Sequence, residues 1–275
     1  MLASLAAGFK NTAVAAGPSD WAVRFPAPFP EATWLKSNQR LCFGVDSVRL
    51  EEAVKAGTNV ICGGTNAADI GFAGGPFILG KAEEFVDIRS GVAIPESTLA
   101  ELRARVDAAH AKQAKVLGKV IRFYMTPWIQ AEHPDWQEIT SPGGKPISAA
   151  ELKDNAVLGC WNSPYGDWFI KSQAALVKRL DWDGYNMDGF GCWTHCFCPH
   201  CEKAFVQDMH KGIPASTDVN NRQFRHYLKW RLDRYTHFVR KWTAELKAVK
   251  PDFVTAPRTT GPGRRWHWMG APAAE

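Results

Sequence analysis

The chain has 275 residues, of which 45% are hydrophobic and 22% charged, a composition that is ordinary for a globular protein with a sizeable core. Its net charge of +5 comes without any run of lysine or arginine, so nothing in the composition indicates a nucleic acid or an anionic membrane as a partner. No stretch approaches the roughly 20 consecutive apolar residues of a membrane-spanning helix.

The first 40 residues show no hydrophobic period and are predicted to be a leader followed by an irregular segment. Residues 1–8 resemble the apolar part of a secretory signal, and residues 13–17 could contain its small-residue cleavage site. The basic segment that opens such a signal is missing, so export and a cytoplasmic location are equal alternatives. Residues 41–275 are predicted to form a single domain.

From residue 41 the chain alternates short apolar strands with amphipathic helices. Strands are predicted over 41–46, 59–64, 119–126, 184–190 and 253–257. Helices are predicted over 47–56, from residue 95 onward, over 166–180 and over 224–249. This alternation indicates an α/β fold with a parallel sheet.

Long loops follow the predicted strands, whereas the connections from helix to strand are short. That asymmetry favours a (β/α)8 TIM barrel with its site at the carboxyl ends of the strands. A doubly wound open sheet is the alternative, disfavoured because no glycine-rich phosphate loop follows the first strand.

Five strands are predicted and a closed barrel needs eight. We therefore expect a partial barrel, truncated after about five βα units of a longer protein.

The fourth predicted strand carries the candidate catalytic carboxylate. Because strand side chains alternate between faces, Asn186 and Asp188 share one face, and Asp188 stands at the carboxyl end, where barrel enzymes place their catalytic groups. The third strand repeats the pattern, with Arg122, Tyr124 and Thr126 predicted on one inward face. The alternative is that Asp188 caps the next segment or pairs with Arg122.

Four cysteines crowd into ten residues, in the order Cys192, Cys196, Cys198 and Cys201. Such crowding favours a metal over a disulfide framework, and three of the four, Cys196, Cys198 and Cys201, suit a tetrahedral zinc. The fourth ligand is left open among Cys192, Cys160, His195 and His200. We expect a structural zinc, because an all-thiolate site leaves no open position for water. Cysteines without metal, reduced or in disulfides, are the alternative.

Five motifs follow one another along the chain: His133-Pro-Asp-Trp136, Gly144-Lys-Pro146, Cys160-Trp-Asn-Ser-Pro-Tyr165, Trp182-Asp-Gly-Tyr-Asn-Met-Asp-Gly189 and Cys196-x-Cys198-x-x-Cys201-x-x-x-Phe205. Together they resemble the glycosyl hydrolases related to α-L-fucosidases, whose (β/α)8 barrels carry similar motifs in this order. The cysteine run also resembles that of zinc-bearing β-galactosidases, in which it follows the fourth strand. The resemblance covers roughly residues 41–258.

The resemblance implies a carbohydrate substrate and a role for several residues. Asp188 would be the nucleophile of a retaining mechanism, and Cys160 the fourth zinc ligand, although the additional Cys192 keeps that position open. The sugar site would be lined by Tyr124, Trp128, His133 and Trp136.

Three further polar residues are candidate substrate contacts: Asn186 beside Asp188, Asp46 at the end of the first strand and Arg258 at the end of the fifth. Capping of the next helix is the alternative role for Asp46, and a salt bridge is the alternative role for Arg258.

A retaining glycosidase needs a second carboxyl group about 5–5.5 Å from the first, and we expect this partner on a later strand. The chain by itself is then expected to be nearly inactive. The alternatives are a non-catalytic glycan-binding barrel, an inactive fragment with a structural zinc, and a zinc-dependent hydrolase of another class. Whether the chain forms an oligomer is left open.

Overall fold

The computed structural model describes residues 32–34, 41–43, 49–62, 77–88, 90–121, 123–146, 157–188 and 195–257, apart from the side chains of 41–43, 120–121, 187–188 and 256–257. Most of the predicted leader lies outside these ranges, as do four residues singled out from the sequence: Asp46, Arg122, Cys192 and Arg258. The roles expected for them stay predictions.

The strands of these ranges are β1 (Leu41–Phe43), β2 (Val60–Cys62), β3 (Phe77–Leu79), β4 (Phe85–Asp87), β5 (Lys115–Ile121), β6 (Tyr124–Met125), β7 (Val157–Leu158), β8 (Gly184–Asp188) and β9 (Val254–Pro257). The helices are α1 (Leu50–Lys55), α2 (Glu96–Ala111), α3 (Pro127–Glu132), α4 (Pro164–Leu180), α5 (Pro199–Met209) and α6 (Arg222–Val249), with a short 3-10 turn over Pro134–Trp136. None of these helices is long and apolar enough to cross a membrane.

Strands β1, β2, β5, β8 and β9 form one sheet in which every neighbouring pair is parallel. The predicted α/β fold with a parallel sheet is confirmed. The strands lie side by side in chain order. A (β/α) barrel has this sequential order, whereas a doubly wound sheet reverses it at a switch point. A pairing of β9 with β1, which would close the sheet on itself, is not found among the described residues.

The two faces of this sheet are covered differently. Helices α2, α4 and α6 join the main core on one face, which we call the helix face and which presents the buried residues Ile61, Val116 and Tyr185. We call the opposite face the inner face. It presents a smaller apolar group, Val60, Cys62 and Leu117, and Trp34 packs against this group. The period of two residues along β2, β5 and β8 places alternate side chains on opposite faces.

Capping residues set where the main helices begin. Ser163 precedes α4, and its hydroxyl accepts a hydrogen bond from the Tyr165 N–H, while Pro164 occupies the first turn without needing an amide partner. Asn221 caps α6 in the same way, accepting from the N–H groups of Gln223 and Phe224. These caps agree with the predicted helices at 166–180 and 224–249 to within a few residues.

The bounds predicted for the third strand are wrong. Strand β5 spans Lys115–Ile121 rather than 119–126, and Tyr124 belongs to β6, which pairs antiparallel with β7. The residue before it, Phe123, is buried between the rings of Phe169 and Phe238, at centroid distances of 4.9 and 5.3 Å. The two-residue period of the sequence continues from β5 into β6. The sequence pattern therefore does not show that the chain leaves the parallel sheet and pairs with β7 instead. Tyr124 and Thr126 therefore do not extend the row of β5 side chains on the inner face.

The long loop that follows the second predicted strand and leads to α2 contains strands that the sequence pattern did not predict. Strands β3 and β4 form an antiparallel hairpin within it, and Phe77, Ile78 and Val86 of this hairpin are buried in the main core. The loops that follow the strands of the parallel sheet therefore carry small elements of their own.

Candidate functional site

The carboxyl end of β8 carries the predicted catalytic residue. Asp188 is the last residue of the strand and lies in register with Ile121, the last residue of β5. Two positions earlier, Asn186 is 5% exposed and lies in register with Lys119, which is 8% exposed. Alternation from Leu117 puts Lys119 on the inner face, and the same register puts Asn186 there. The inner face therefore becomes polar toward the carboxyl edge of the sheet.

The residues predicted to line a sugar site lie between β6 and the 3-10 turn, where most are engaged with other groups. Trp128 packs edge-on against Trp168 at 5.9 Å, with the Lys81 ammonium 5.4 Å from its ring. His133 and Trp136 stack on each other at 3.8 Å and 5°. These three rings share a segment with Tyr124, and lining of a sugar site stays a prediction for all four.

Four buried cysteines meet beside this segment, and they form what we call the cysteine cluster: Cys160, Cys196, Cys198 and Cys201. Their sulfur atoms all lie within 4.8 Å of one another, and the Sγ atoms of Cys160 and Cys201 are 3.5 Å apart. All four are free rather than in disulfides. The structure thus brings Cys160 to the three cysteines of the later motif, as the resemblance implies.

Three separate stretches of backbone hold the cluster in place. The N–H of Cys160 donates to the Trp136 carbonyl at 2.7 Å, and the N–H of Phe197 donates to the Ile139 carbonyl at 2.7 Å. Residues 136–139 therefore lie between the Cys160 loop and the Cys196–Cys198 loop. The His-Pro-Asp-Trp motif, predicted to contact sugar, also forms the scaffold of the cysteines.

The start of helix α5 positions the sulfurs of Cys198 and Cys201. Cys198 is its N-cap residue, and its sulfur accepts a hydrogen bond from the Cys201 N–H at 3.5 Å. Pro199 follows in the first turn, where its fixed φ suits the start of a helix. The Cys-x-x-Cys spacing thus becomes a turn that leads into a helix, with both sulfurs on the same side.

The cluster fits a tetrahedral metal ion. Zinc–sulfur bonds of about 2.3 Å set sulfurs about 3.8 Å apart, close to the spacing found here. Burial, and then hydrogen bonding to Cys196, Cys198 and Cys201, raises the pKa of the Cys160 thiol well above its ordinary value. Binding of a metal would therefore displace protons from the sulfurs. The four cysteines together could hold one metal ion.

The two histidines that the sequence left open as ligands make other contacts. The His200 ring forms a hydrogen bond with the Asp135 carboxylate at 2.8 Å, which ties α5 to the 3-10 turn. The ring of His195 packs edge-on against Phe224 at 4.9 Å. Burial, and then the charge of Arg231, lowers the pKa of His195. Neither histidine belongs to the group of four sulfurs.

Sequence reasoning missed three polar residues around the cluster. The Asn162 amide and the Arg231 guanidinium each donate to the Cys201 sulfur, at 3.4 and 3.5 Å. Glu138 forms an ion pair with Arg231 at 3.3 Å, with side chains only 9% and 2% exposed. A signal existed for Arg231, because it interrupts the buried face of α6 between Tyr227 and Tyr235.

A second buried polar group lies at the opposite, amino-terminal end of the sheet, and we call it the Asp183 cluster. The carboxylate of Asp183 is 1% exposed and accepts from His110 at 2.7 Å, from Lys250 at 2.9 Å and from Lys115 at 3.2 Å. Burial opposes its ionisation, yet hydrogen bonds from His110 and the Val116 N–H and the charge of Lys250 hold the pKa of Asp183 well below its usual range. Asp183 directly precedes β8, whereas barrel enzymes carry their catalytic groups at the carboxyl ends of the strands.

Comparison with known proteins finds similarity in structure. No protein-family profile matches the chain, and no curated protein sequence is similar to it. The solved structures that share its fold include the α-L-fucosidase isoenzyme 2 from Paenibacillus thiaminolyticus (TM-score 0.51, 17% identity), a β-galactosidase from Bacillus circulans sp. alkalophilus (0.52, 15%) and a β-galactosidase from Rahnella sp. R3 (0.53, 15%). At these identities the likeness is one of fold.

The matches cover most of this chain but a minor part of each neighbour. They include 80%, 85% and 83% of this chain, and 32%, 38% and 37% of the respective neighbours. The chain thus spans about a third of the length of these three proteins. The described residues share with these structures an α/β fold with a parallel sheet.

Proposed function

We propose that this chain is the part of a retaining glycoside hydrolase that carries the nucleophile, Asp188, on the fourth strand of a (β/α)8 barrel. The observation that carries the proposal is the position of Asp188 at the carboxyl end of β8, two residues beyond the buried Asn186. Strand alternation predicts that both side chains share the inner face. Catalytic groups of such barrels come from the carboxyl ends of the strands.

Two further observations support this proposal. The sheet has the sequential strand order of a barrel, with its helices packed on one face. The three structural neighbours are named as a fucosidase and two galactosidases. A carbohydrate substrate for this chain follows from that likeness of fold together with the motifs of the sequence, and the sugar and linkage are left open.

The reaction proposed for Asp188 has two displacements. Its carboxylate oxygen attacks the anomeric carbon while the bond to the leaving oxygen breaks, and a second carboxyl group gives that oxygen its proton. Water then attacks the same carbon, returns a proton to the second group and releases Asp188 as carboxylate. We expect this second carboxyl group on a later strand of the full-length protein. Asn186 would hold a sugar hydroxyl beside the reacting carbon.

Trapping of the intermediate tests the assignment of Asp188. The full-length protein is incubated with activated 2-deoxy-2-fluoro glycosides of fucose and galactose, and the labelled peptide is sequenced by mass spectrometry. We expect the adduct on Asp188. In the Asp188→Gly variant, turnover of aryl glycosides should fall to background and return with added azide, giving a glycosyl azide of inverted configuration. An adduct on another residue would contradict the proposal, and glycan binding without turnover by the wild type would favour a binding protein.

We also propose that the cysteine cluster holds a structural zinc. Four thiolates from Cys160, Cys196, Cys198 and Cys201 would fill a tetrahedral ion completely and leave no position for substrate or water. The metal would join the loop after β7 to the start of α5. Elemental analysis of purified protein should find one zinc per chain. Activity that depends on an exchangeable metal-bound water would contradict the structural role.

A further inference from the structure

A buried tetrathiolate metal site raises a problem of charge. A divalent ion bound by four thiolates leaves two uncompensated negative charges, and the sulfurs concerned are fully buried. Placing net charge in a protein interior is unfavourable unless hydrogen bonds or an opposite charge offset it. The present inference rests on the metal site proposed above and concerns the groups that surround it.

Arg231 is a cationic residue in direct contact with the cluster. Its side chain is 2% exposed, and one guanidinium nitrogen, Nη1, points at the Cys201 sulfur from 3.5 Å. The other, Nη2, contacts the Glu138 carboxylate at 3.3 Å. The guanidinium also lies over the ring of Trp161, 4.8 Å from its centre, so the group is held on several sides.

Among the described residues, Cys201 is the cysteine of the cluster whose sulfur receives hydrogen bonds from outside the cluster. Cys201 receives two donors from outside the cluster, Arg231 and the Asn162 amide at 3.4 Å, and Arg234 contacts the oxygen of that amide at 3.4 Å. Hydrogen bonds to a thiolate favour its charged form and withdraw electron density from the sulfur. Cys201 should therefore be the least nucleophilic thiolate of the four when the metal is bound.

We propose that Arg231 is the counter-ion of the metal centre, a positioning residue that stabilises Cys201 as a bound thiolate, and that Glu138 orients its guanidinium. Outer groups of this kind change metal affinity about 10- to 100-fold when they are removed. The two members of the ion pair then have opposite electrostatic effects on the thiolates. Arg231 offsets their charge, whereas Glu138 adds a negative charge nearby.

The opposite effects of Arg231 and Glu138 on the thiolates distinguish a counter-ion of the metal centre from an ion pair that only maintains the fold. Zinc affinity is measured by competition with a chromophoric chelator in wild type, Arg231→Gln and Glu138→Gln. We expect Arg231→Gln to bind zinc about 10- to 100-fold more weakly. Glu138→Gln should bind it at least as tightly as wild type, and Arg231→Lys should lie in between, since it keeps the charge but loses the planar fork. Equal losses in both glutamine variants would overturn the proposal.

A matched control and a second measurement complete the experiment. Lys241→Gln removes a positive charge from the same helix, ten residues or about 15 Å further along, where Lys241 pairs with Asp167 at the surface, and it should leave zinc affinity unchanged. Alkylation of the zinc-loaded proteins, mapped by mass spectrometry, should show a selective rise at Cys201 in Arg231→Gln. An unchanged pattern would count against the contact with sulfur. If Arg231→Gln does not fold, Arg231→Lys and Glu138→Gln still decide the question by the order of their affinities.

The same measurements distinguish the absence of a metal site from the absence of a role for Arg231. A wild-type protein that takes up neither zinc nor cobalt would contradict the site and the role of Arg231 together. A wild type that binds zinc as tightly as a folded Arg231→Gln variant would overturn the role of Arg231 and leave the metal site standing.

Discussion

The Asp183 cluster and the cysteine cluster are both buried and polar, but they reach stability by different routes. Asp183 is surrounded by the ammonium groups of Lys115 and Lys250, by the His110 imidazole and by the Val116 N–H. Those partners come from β5, from the end of α2 and from just beyond α6, so the protein supplies them all. The four cysteines face one another instead, and thiols are weak donors and weak acceptors.

The Asp183 cluster is stable without a ligand and contributes to the fold, whereas the cysteine cluster is expected to be stable only with a bound metal ion. A carboxylate with several cationic donors is stable as it stands, and it joins the amino-terminal ends of the strands. Four sulfurs within 4.8 Å gain little from each other and gain a great deal from a divalent ion. The two ends of the sheet should therefore respond to different treatments: acid at the Asp183 end and chelators at the cysteine end.

Removal of one sulfur should have the largest effect. Cys160→Ser should reduce bound zinc from one ion per chain to a trace and should lower the melting temperature as strongly as a chelator does, because metal binding is coupled to folding. Elemental analysis and calorimetry measure both. Cys62→Ala is the matched control, since Cys62 is buried on the inner face outside the cluster. Loss of zinc in that control would show that the cluster is not the binding site.

Neutralisation of Asp183 should come next. Asp183→Asn leaves His110, Lys115 and Lys250 around a neutral group, and breaking such a buried pair lowers the free energy of unfolding by about 3–5 kcal/mol. Urea unfolding at neutral pH measures the change. Asp167→Asn removes an exposed pair with Lys241 and should change stability by at most about 1 kcal/mol. Zinc content should be unchanged in both, and loss of zinc in Asp183→Asn would mean that the two clusters are coupled.

Overpacking beside Asp183 should have a smaller effect. A Cβ atom at Gly118 would lie 2.4 Å from the ring of Trp182, the residue before Asp183. Gly118→Ala must therefore displace that buried ring, and we expect a loss of about 1–3 kcal/mol. Gly212→Ala is the control, because nothing lies within 4 Å of its added Cβ. Equal stability of the two variants would show that Trp182 can move freely.

The acid response of the Asp183 cluster should be gradual. Because the pKa of Asp183 is lowered in the folded state, its contribution is present above the unfolded pKa of about 3.9 and is lost as the pH falls toward the folded pKa. The stability difference between wild type and Asp183→Asn should be constant above about pH 5 and shrink below about pH 4, by at most about 1.4 kcal/mol per pH unit. Unfolding curves over this range test it, and a difference that begins to shrink near neutral pH would contradict the assignment.

Much of the architecture could be predicted because it depends on local pattern. The period of the apolar residues predicted the helices that became α2, α4 and α6, and the alternation of strands and helices predicted a parallel sheet. The position of Asp188 at the end of β8 followed from the same pattern. The bounds of β5 did not, since the two-residue period runs through Phe123 into β6 without showing where the pairing partner changes.

The sequence by itself determined the types of chemistry available: a carboxylate at a strand end, and cysteines spaced for a metal. The tertiary structure decided which groups meet. Cys160 reaches Cys201 across 41 residues of chain, and Arg231 reaches it across 30. Neither distance is fixed by local spacing, because each depends on how β7, α5 and α6 pack together. The Asp183 cluster was likewise decided by the fold, which buries one carboxylate among cations drawn from distant parts of the chain.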